Sequence, residues 1–191
     1  MNARIGKYLI VYNCIQLTGW FLTFIVLILF PAKSFKLLCL VQVVASLEII
    51  HAYFKWIKSN FIFTFLQTGA RIIMLFIILQ VDVERDFFST SIINLFTVYQ
   101  LMALAWCVAE IIRSSYYLKK SSKIIAWLRY NAFIICYPVG VTTELYLIYS
   151  LLIYKSKLSV TIALILLMLT YFIGFPSLYL HLLKQRKQNL K

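Results

Sequence analysis

Along this chain the apolar positions do not alternate with polar ones; they run on continuously and then stop at a charged or turn-forming break. The runs can be bounded near Tyr8–Phe30, Leu37–Ile57, Phe61–Val81, Ser91–Tyr117, Ile124–Tyr154 and Leu158–Leu183. A helix rising 1.5 Å per residue needs about 20 apolar residues to cross the hydrocarbon layer, so each run predicts one transmembrane helix. The breaks are Pro31-Ala-Lys33-Ser-Phe-Lys36, Lys58-Ser-Asn60, Asp82-Val-Glu84-Arg-Asp86, Leu118-Lys119-Lys120-Ser-Ser-Lys123 and Lys155-Ser-Lys157. Continuous apolarity argues against a membrane β-barrel, whose strands alternate. There is no internal repeat, low-complexity segment or Gly/Ser-rich linker. The expectation is therefore one all-α domain over residues 1–191, a polytopic membrane helix bundle of about six transmembrane helices.

Composition agrees and removes other classes. Of 191 residues 63% are hydrophobic, 17% aromatic and 13% charged, against about 45–50% apolar in a soluble domain. Too little polar surface remains to coat a soluble globule. The 19 Lys and Arg against 6 Asp and Glu could suggest nucleic acid, but the basic residues lie in short clusters between apolar runs, where they serve as membrane-surface anchors. With the N-terminus in the cytosol, that side holds Arg4, Lys7, Lys55, Lys58, Lys119, Lys120, Lys123, Lys184, Arg186, Lys187 and Lys191, which is 11, before Arg129 is counted. The other side holds Lys33, Lys36, Arg85, Lys155 and Lys157, which is 5, and the acidic segment Asp82–Asp86. The positive-inside rule thus puts both termini in the cytosol, with the basic tail from Lys184 to Lys191 beside anionic headgroups. The run Tyr8–Phe30 is longer than a signal-peptide core and lacks a small-residue cleavage pattern, so it reads as a first span. Cys14, Cys39, Cys107 and Cys136 lie inside apolar runs without CxxC spacing, which suggests neither a zinc site nor a disulfide framework.

The acidic residues are few enough to account for one by one. Outside the Asp82–Asp86 segment they are Glu48, Glu110 and Glu144, all within predicted spans, where a charge costs at least about 2.5–3.5 kcal/mol. Partners in the same spans are His51, Arg71, Arg113 and Arg129. Glu110 with Arg113, and Glu48 with His51, are three apart and can pair on one helix. Glu48, His51, Arg71, Glu110 and Arg113 are accordingly expected to be structural clamps between helices. A carboxylate-bridged metal site would need a second Glu-x-x-His unit and further carboxylates, and only one such unit is present, so no metal is expected.

Glu144 differs, having no basic residue three or four positions away. It follows Cys136-Tyr137-Pro138-Val-Gly140-Val-Thr142-Thr143, and seven residues are nearly two helical turns, so Tyr137 and Glu144 share a face about 10 Å apart along an ideal axis. Pro138 removes a backbone hydrogen bond and pushes against the carbonyl of Ile134, so a kink is expected that angles the Tyr137 ring inward. The spacing is equally compatible with a proline kink, a packed tyrosine and a glutamate paired across helices.

At these residues the chain resembles the 3-hydroxyacyl-CoA dehydratase family, multispanning endoplasmic-reticulum proteins also labelled protein-tyrosine-phosphatase-like. The resemblance runs through ordered blocks over nearly the whole chain: Tyr8-Leu-Ile-Val-Tyr12-Asn13 with Gly19-Trp20, Leu47-Glu48-Ile-Ile-His51, Gln67-Thr-Gly-Ala-Arg71, Trp106-Cys-Val-Ala-Glu110-Ile-Ile-Arg113, Leu128-Arg129-Tyr130-Asn131 through Tyr137-Pro138-Val-Gly140 to Glu144, and Leu178-Tyr179 with Gln185-Arg186-Lys187. It implies a catalytic pair at Tyr137 and Glu144, an acyl-CoA substrate, no cofactor, elongase and reductase partners, and no nucleic acid. The implied reaction removes water from a (3R)-3-hydroxyacyl-CoA to give a trans-2-enoyl-CoA during fatty acid elongation. It needs a base for the C2 proton and an acid for the departing hydroxyl; Glu144 as base with Tyr137 as acid, and the reverse, both satisfy it. Lys119, Lys120, Lys123 and Arg129 are candidates for the CoA phosphates, and lipid anchoring explains the lysines equally well. A phosphatase is not supported, because Cys136 has no arginine five or six residues downstream to cradle a phosphate. Two departures from the family bear on substrate range: Lys155-Ser-Lys157 replaces a longer connection before the last span, and Ser114 stands where a tyrosine is usual. A catalytically silent scaffold and a small transporter are the other readings; the intact pair speaks against the first, the lack of repeat symmetry against the second.

Overall fold

The computed structural model describes residues 3–80, 95–154 and 158–189. The acidic segment Asp82–Asp86, the Lys155–Lys157 break and Lys191 lie outside the described residues. In chain order the helices are α1 (Ala3–Leu29), α2 (Pro31–Ala45), α3 (Leu47–Tyr53), α4 (Phe61–Gln80), α5 (Leu95–Leu118), α6 (Lys123–Asn131), α7 (Phe133–Tyr154) and α8 (Leu158–Asn189). Single residues, Ser46 and Ala132, separate α2 from α3 and α6 from α7, so these pairs continue one another. Ala3–Leu29, Pro31–Tyr53, Lys123–Ile153 and Thr161–Asn189 are long and apolar enough to cross a membrane, and Phe61–Phe76 is a shorter apolar helix. This is an all-α, multi-pass membrane protein.

Burial follows the inverted logic of a bundle in lipid. In α1 the buried residues are Tyr12, Asn13, Gln16, Trp20, Thr23 and Leu27, a stripe at helical spacing that carries the helix's polar groups inward. Ile10, Val11, Ile15, Phe21, Leu22, Ile28 and Leu29 are exposed on the remaining surface, as lipid contact requires. Of the inward polar groups, Trp20 and Thr23 bond within their own helix: Trp20 donates to Gln16 Oε1 at 2.8 Å and Thr23 to the Gly19 carbonyl at 2.8 Å.

Pro31–Lys36, expected as a connecting break, is instead the first turns of α2. Phe30 alone makes the connection, with φ −139° and ψ 63°, and Pro31 occupies the first helical position. Proline suits that position, because its φ is already helical and its missing N–H has no partner to lose. α1 and α2 then pack along each other, and Gly19 permits the approach: a Cβ there would stand 3.0 Å from Val41 Cγ2. α3 ends where Lys55 takes a left-handed φ of 55°, which lets Trp56 N–H reach His51 O at 2.9 Å. Asn60 starts α4 by accepting from the N–H groups of Ile62 (2.9 Å) and Phe63 (3.4 Å).

The described residues form two compact units, one within Met1–Val81 and Cys107–Arg129, the other within Asp82–Trp106 and Tyr130–Lys191. In the first, α3 packs on α4 as well as α1 on α2; in the second, α7 packs on α8. The second unit holds Tyr137 and Glu144.

Candidate active site

The site residues stand on α7, which remains helical across Pro138. The helix is interrupted at Ala132, six residues earlier. The Ala132 carbonyl there still accepts from the N–H groups of Ile135 (3.2 Å) and Cys136 (2.9 Å), so the helix restarts without losing its ladder. Thr142 Oγ1 donates to the Pro138 carbonyl at 2.7 Å, and Thr143 donates to the carbonyls of Val139 (2.8 Å) and Gly140 (2.7 Å). The hydroxyls of Thr142 and Thr143 are thus turned onto their own helix, whereas Glu144 reaches outward from it.

Glu144 is 6% exposed. Its Oε1 accepts from the Trp106 indole N–H of α5 at 2.6 Å, and its Oε2 lies 2.5 Å from the Tyr171 hydroxyl of α8. Gly140, one turn before, faces the same indole: a Cβ there would stand 3.9 Å from both Trp106 Cδ1 and Nε1, an ordinary contact. The expected pairing of Glu144 across helices is therefore found, but with two neutral donors.

Tyr137 is half-buried, and its ring lies parallel to Phe175 (centroids 5.1 Å apart, planes at 6°) and Tyr179 (6.1 Å, 9°). Phe133 meets Tyr179 edge-on at 5.7 Å. Tyr171, Phe175 and Tyr179 recur every fourth residue, so one face of α8 serves both ends of the pair, Tyr171 at Glu144 and the other two rings at Tyr137. Nearer the end of α8, Arg186 Nε donates to Asn131 Oδ1 at 2.9 Å, tying it to the α6–α7 junction.

The other buried charges gather in the first unit. Arg113 pairs with Glu48 and, at 2.5 Å, with Glu110, which also takes Arg71 Nη1 at 2.5 Å. Two carboxylates and two guanidinium groups thus join α3, α4 and α5 with no net charge. The expected Glu110–Arg113 pair is present. The expected Glu48–His51 pair is replaced: Glu48 takes Arg113 and, at 3.4 Å, the Tyr12 hydroxyl, while His51 Nε2 meets the Tyr8 hydroxyl at 2.9 Å. A guanidinium arriving from α5 offers a full charge and several donors, which a neutral imidazole on the same helix does not. The His51 ring is held edge-on by Tyr12 at 4.7 Å and stacked on Trp56 at 5.7 Å. Lys119, Lys120 and Lys123 are exposed around the α5–α6 turn, with Lys120 Nζ 5.9 Å over the Tyr117 ring, and Arg129 on α6 is partly buried. These four basic residues belong to the first unit, whereas Tyr137 and Glu144 belong to the second. Among the described residues no three His, Cys, Asp or Glu gather as metal ligands would.

Comparison with known proteins supplies the context. The model of the family described as protein tyrosine phosphatase-like protein, PTPLA, matches residues 42–191. The chain belongs to this family. Among similar proteins, the mouse (Mus musculus) very-long-chain (3R)-3-hydroxyacyl-CoA dehydratase 2 is 30% identical over 212 residues, covering 96% of this chain and 80% of its own. Mouse dehydratase 1 is 32% identical, covering 96% and 73%. The Caenorhabditis elegans very-long-chain (3R)-3-hydroxyacyl-CoA dehydratase hpo-8 is 28% identical, covering 97% and 95%. No solved structure matches.

Two residues of this candidate site escape sequence reasoning. Trp106 stands in the block Trp106-Cys-Val-Ala-Glu110, where it reads as apolar packing, and Tyr171 is one of 13 tyrosines with no motif around it. A usable signal existed: buried Trp and Tyr carry polar tips that need partners, and Glu144 was the intramembrane acid without a local base.

Proposed function

We propose that this protein removes water from a (3R)-3-hydroxyacyl-CoA to give the trans-2-enoyl-CoA of very-long-chain fatty acid elongation, with Tyr137 and Glu144 as its catalytic pair. The observation that carries the reading is the state of Glu144, a buried carboxylate held on both oxygens by neutral groups of two other helices. Both of these contacts are to neutral donors, whereas Glu48 and Glu110 are each paired with guanidinium groups. Relatives carrying the dehydratase name align along almost the whole chain.

In this scheme Glu144 takes the C2 proton, the C2–H electron pair forms the C2–C3 double bond, and the C3–O bond breaks. Tyr137 gives its proton to the departing hydroxyl, which leaves as water, and the proton held by Glu144 restores Tyr137 between turnovers. Half-burial suits Tyr137 to this role, because its hydroxyl must reach substrate while its ring stays fixed by Phe175 and Tyr179. The acyl chain lies among apolar helices, and the CoA head remains in cytosolic water at the mouth of an open route reaching Tyr137. Lys119, Lys120 and Lys123, three ammonium groups on one exposed turn, take the CoA phosphates together with Arg129.

The protein acts as a single domain in the endoplasmic reticulum membrane, both termini cytosolic, beside the elongase and reductases that supply and consume its substrate and product. The test is turnover of a long-chain (3R)-3-hydroxyacyl-CoA by purified protein in detergent, with Tyr137→Phe and Glu144→Gln alongside. Enoyl-CoA from the wild type, lost in both variants, is the expected result. A folded wild type that makes none would overturn the reading.

A further inference from the structure

The reading of Glu144 as the base leaves open which of its two oxygens handles the proton, and its hydrogen bonds favour one of them. An indole N–H is a donor only. With Trp106 Nε1 2.6 Å from Oε1, that oxygen must accept, and a proton placed on it toward Trp106 would set two hydrogens against each other. A tyrosine hydroxyl both donates and accepts. At 2.5 Å from Oε2, Tyr171 can give its hydrogen to a carboxylate and then, by rotating its O–H, take one from a carboxylic acid. The two neighbours thus make the two oxygens unequal, although the carboxylate itself is symmetric.

We infer that Trp106 and Tyr171 are positioning residues for the dehydration, Trp106 reserving Glu144 Oε1 as a permanent acceptor and Tyr171 supporting the gain and loss of the proton at Oε2. The inference rests on the proposed role of Glu144 and adds two residues and a direction to it. Both neighbours are buried, Trp106 at 2% and Tyr171 at 8% exposure, so water does not replace either contact at little cost. Each comes from a different helix, α5 and α8, so the carboxylate is fixed from two sides. Neither residue is required to touch substrate, and the effect of removing either falls on the proton-transfer step rather than on acyl-CoA binding.

The experiment compares wild type, Tyr171→Phe and Trp106→Phe, with Glu144→Gln as the reference for loss of the base, using substrate carrying hydrogen or deuterium at C2. Tyr171→Phe removes one hydroxyl and keeps the ring. The expected result is a kcat about 10- to 100-fold lower, the range for losing one hydrogen bond to a charged group, with KM within about twofold of wild type. The deuterium effect on kcat should also grow, because proton abstraction becomes more fully rate-limiting. Trp106→Phe should do the same. A merely structural role would lower the amount of active enzyme and leave the isotope effect where it was. Thermal unfolding in detergent identifies a variant that does not fold, and the other variant then carries the test.

Wild-type kcat and isotope effect in a folded Tyr171→Phe or Trp106→Phe would overturn the inference while Glu144→Gln remained inactive, leaving the dehydratase reading intact. A rise in KM alone would also overturn it, by moving these residues to substrate binding. Failure of the wild type to form enoyl-CoA would instead be the failure of the dehydratase reading.

Discussion

Glu144 and the other two buried glutamates show what a carboxylate needs in a membrane and how differently the need is met. Glu48 and Glu110 are neutralised by guanidinium groups, Glu110 by two of them. Arg113 is shared by both acids, so Arg113→Met leaves Glu48 with Tyr12 as its remaining polar contact, an uncompensated buried charge. That should cost about 3–5 kcal/mol, more than Arg71→Met, after which Glu110 still has Arg113; denaturant unfolding of the two variants in detergent gives the comparison. At Glu144 the partners are neutral, and the expectation differs. In Glu144→Gln the amide oxygen still accepts from Trp106 and the amide nitrogen donates to the Tyr171 oxygen, so melting should stay close to wild type although activity is lost. Glu144→Leu removes the acceptor of the indole N–H and the partner of the hydroxyl, and should melt below Glu144→Gln. All three glutamates were legible in the sequence because a chain with 6 acids makes each conspicuous. Their partners were legible only when charged: Arg113 for Glu110 could be named from three-residue spacing, whereas Trp106 and Tyr171 reach Glu144 from helices remote in sequence.

At the level of helices, apolar run length located the spans but not their ends. Pro31 reads as a loop residue when its neighbours are Lys33 and Lys36, yet it begins α2, because a proline that breaks a helix interior is well suited to its first turn. Pro138 stands inside α7, which is helical on both sides of it, and a further interruption lies at Ala132. In both places hydropathy is uninformative, and local backbone hydrogen bonding decides. The α1–α2 approach is a further case. Nothing in the sequence near Gly19 announces that a side chain of α2 fills the space a Cβ would take, but a Cβ 3.0 Å from Val41 Cγ2 would require Val41 to shift. Gly19→Ala should destabilise the protein by about 1–3 kcal/mol through overpacking. Val41→Ala, by removing the opposing methyl groups, should recover part of that loss in the double variant. Additive losses in denaturant unfolding would show that the contact at Gly19 does not limit the packing.

For the whole molecule, the distribution of Lys and Arg turns composition into orientation. The 11 basic residues named for the cytosolic side against the 5 named for the other form the kind of asymmetry that sets which loops are retained during insertion. Structure adds that Lys119, Lys120 and Lys123 are exposed at the α5–α6 turn, available to phosphates or lipid headgroups, and that Arg186 near the end of α8 is tied to Asn131, where α6 gives way to α7. The last turn of α8 and the start of α7 therefore lie on one side of the membrane. The count of Lys and Arg expects the Lys119–Lys123 turn and the end of α8 both on the cytosolic side. Epitope tags at the two termini, tested for protease access in sealed microsomes, examine the chain of reasoning directly. Digestion of both without detergent is expected. Protection of both would invert the bundle and place the lysine turn in the lumen, away from a cytosolic CoA head. Protection of one alone would mean an odd number of crossings, and the tether between Arg186 and Asn131 would identify the N-terminal half as the place where the count of six spans fails.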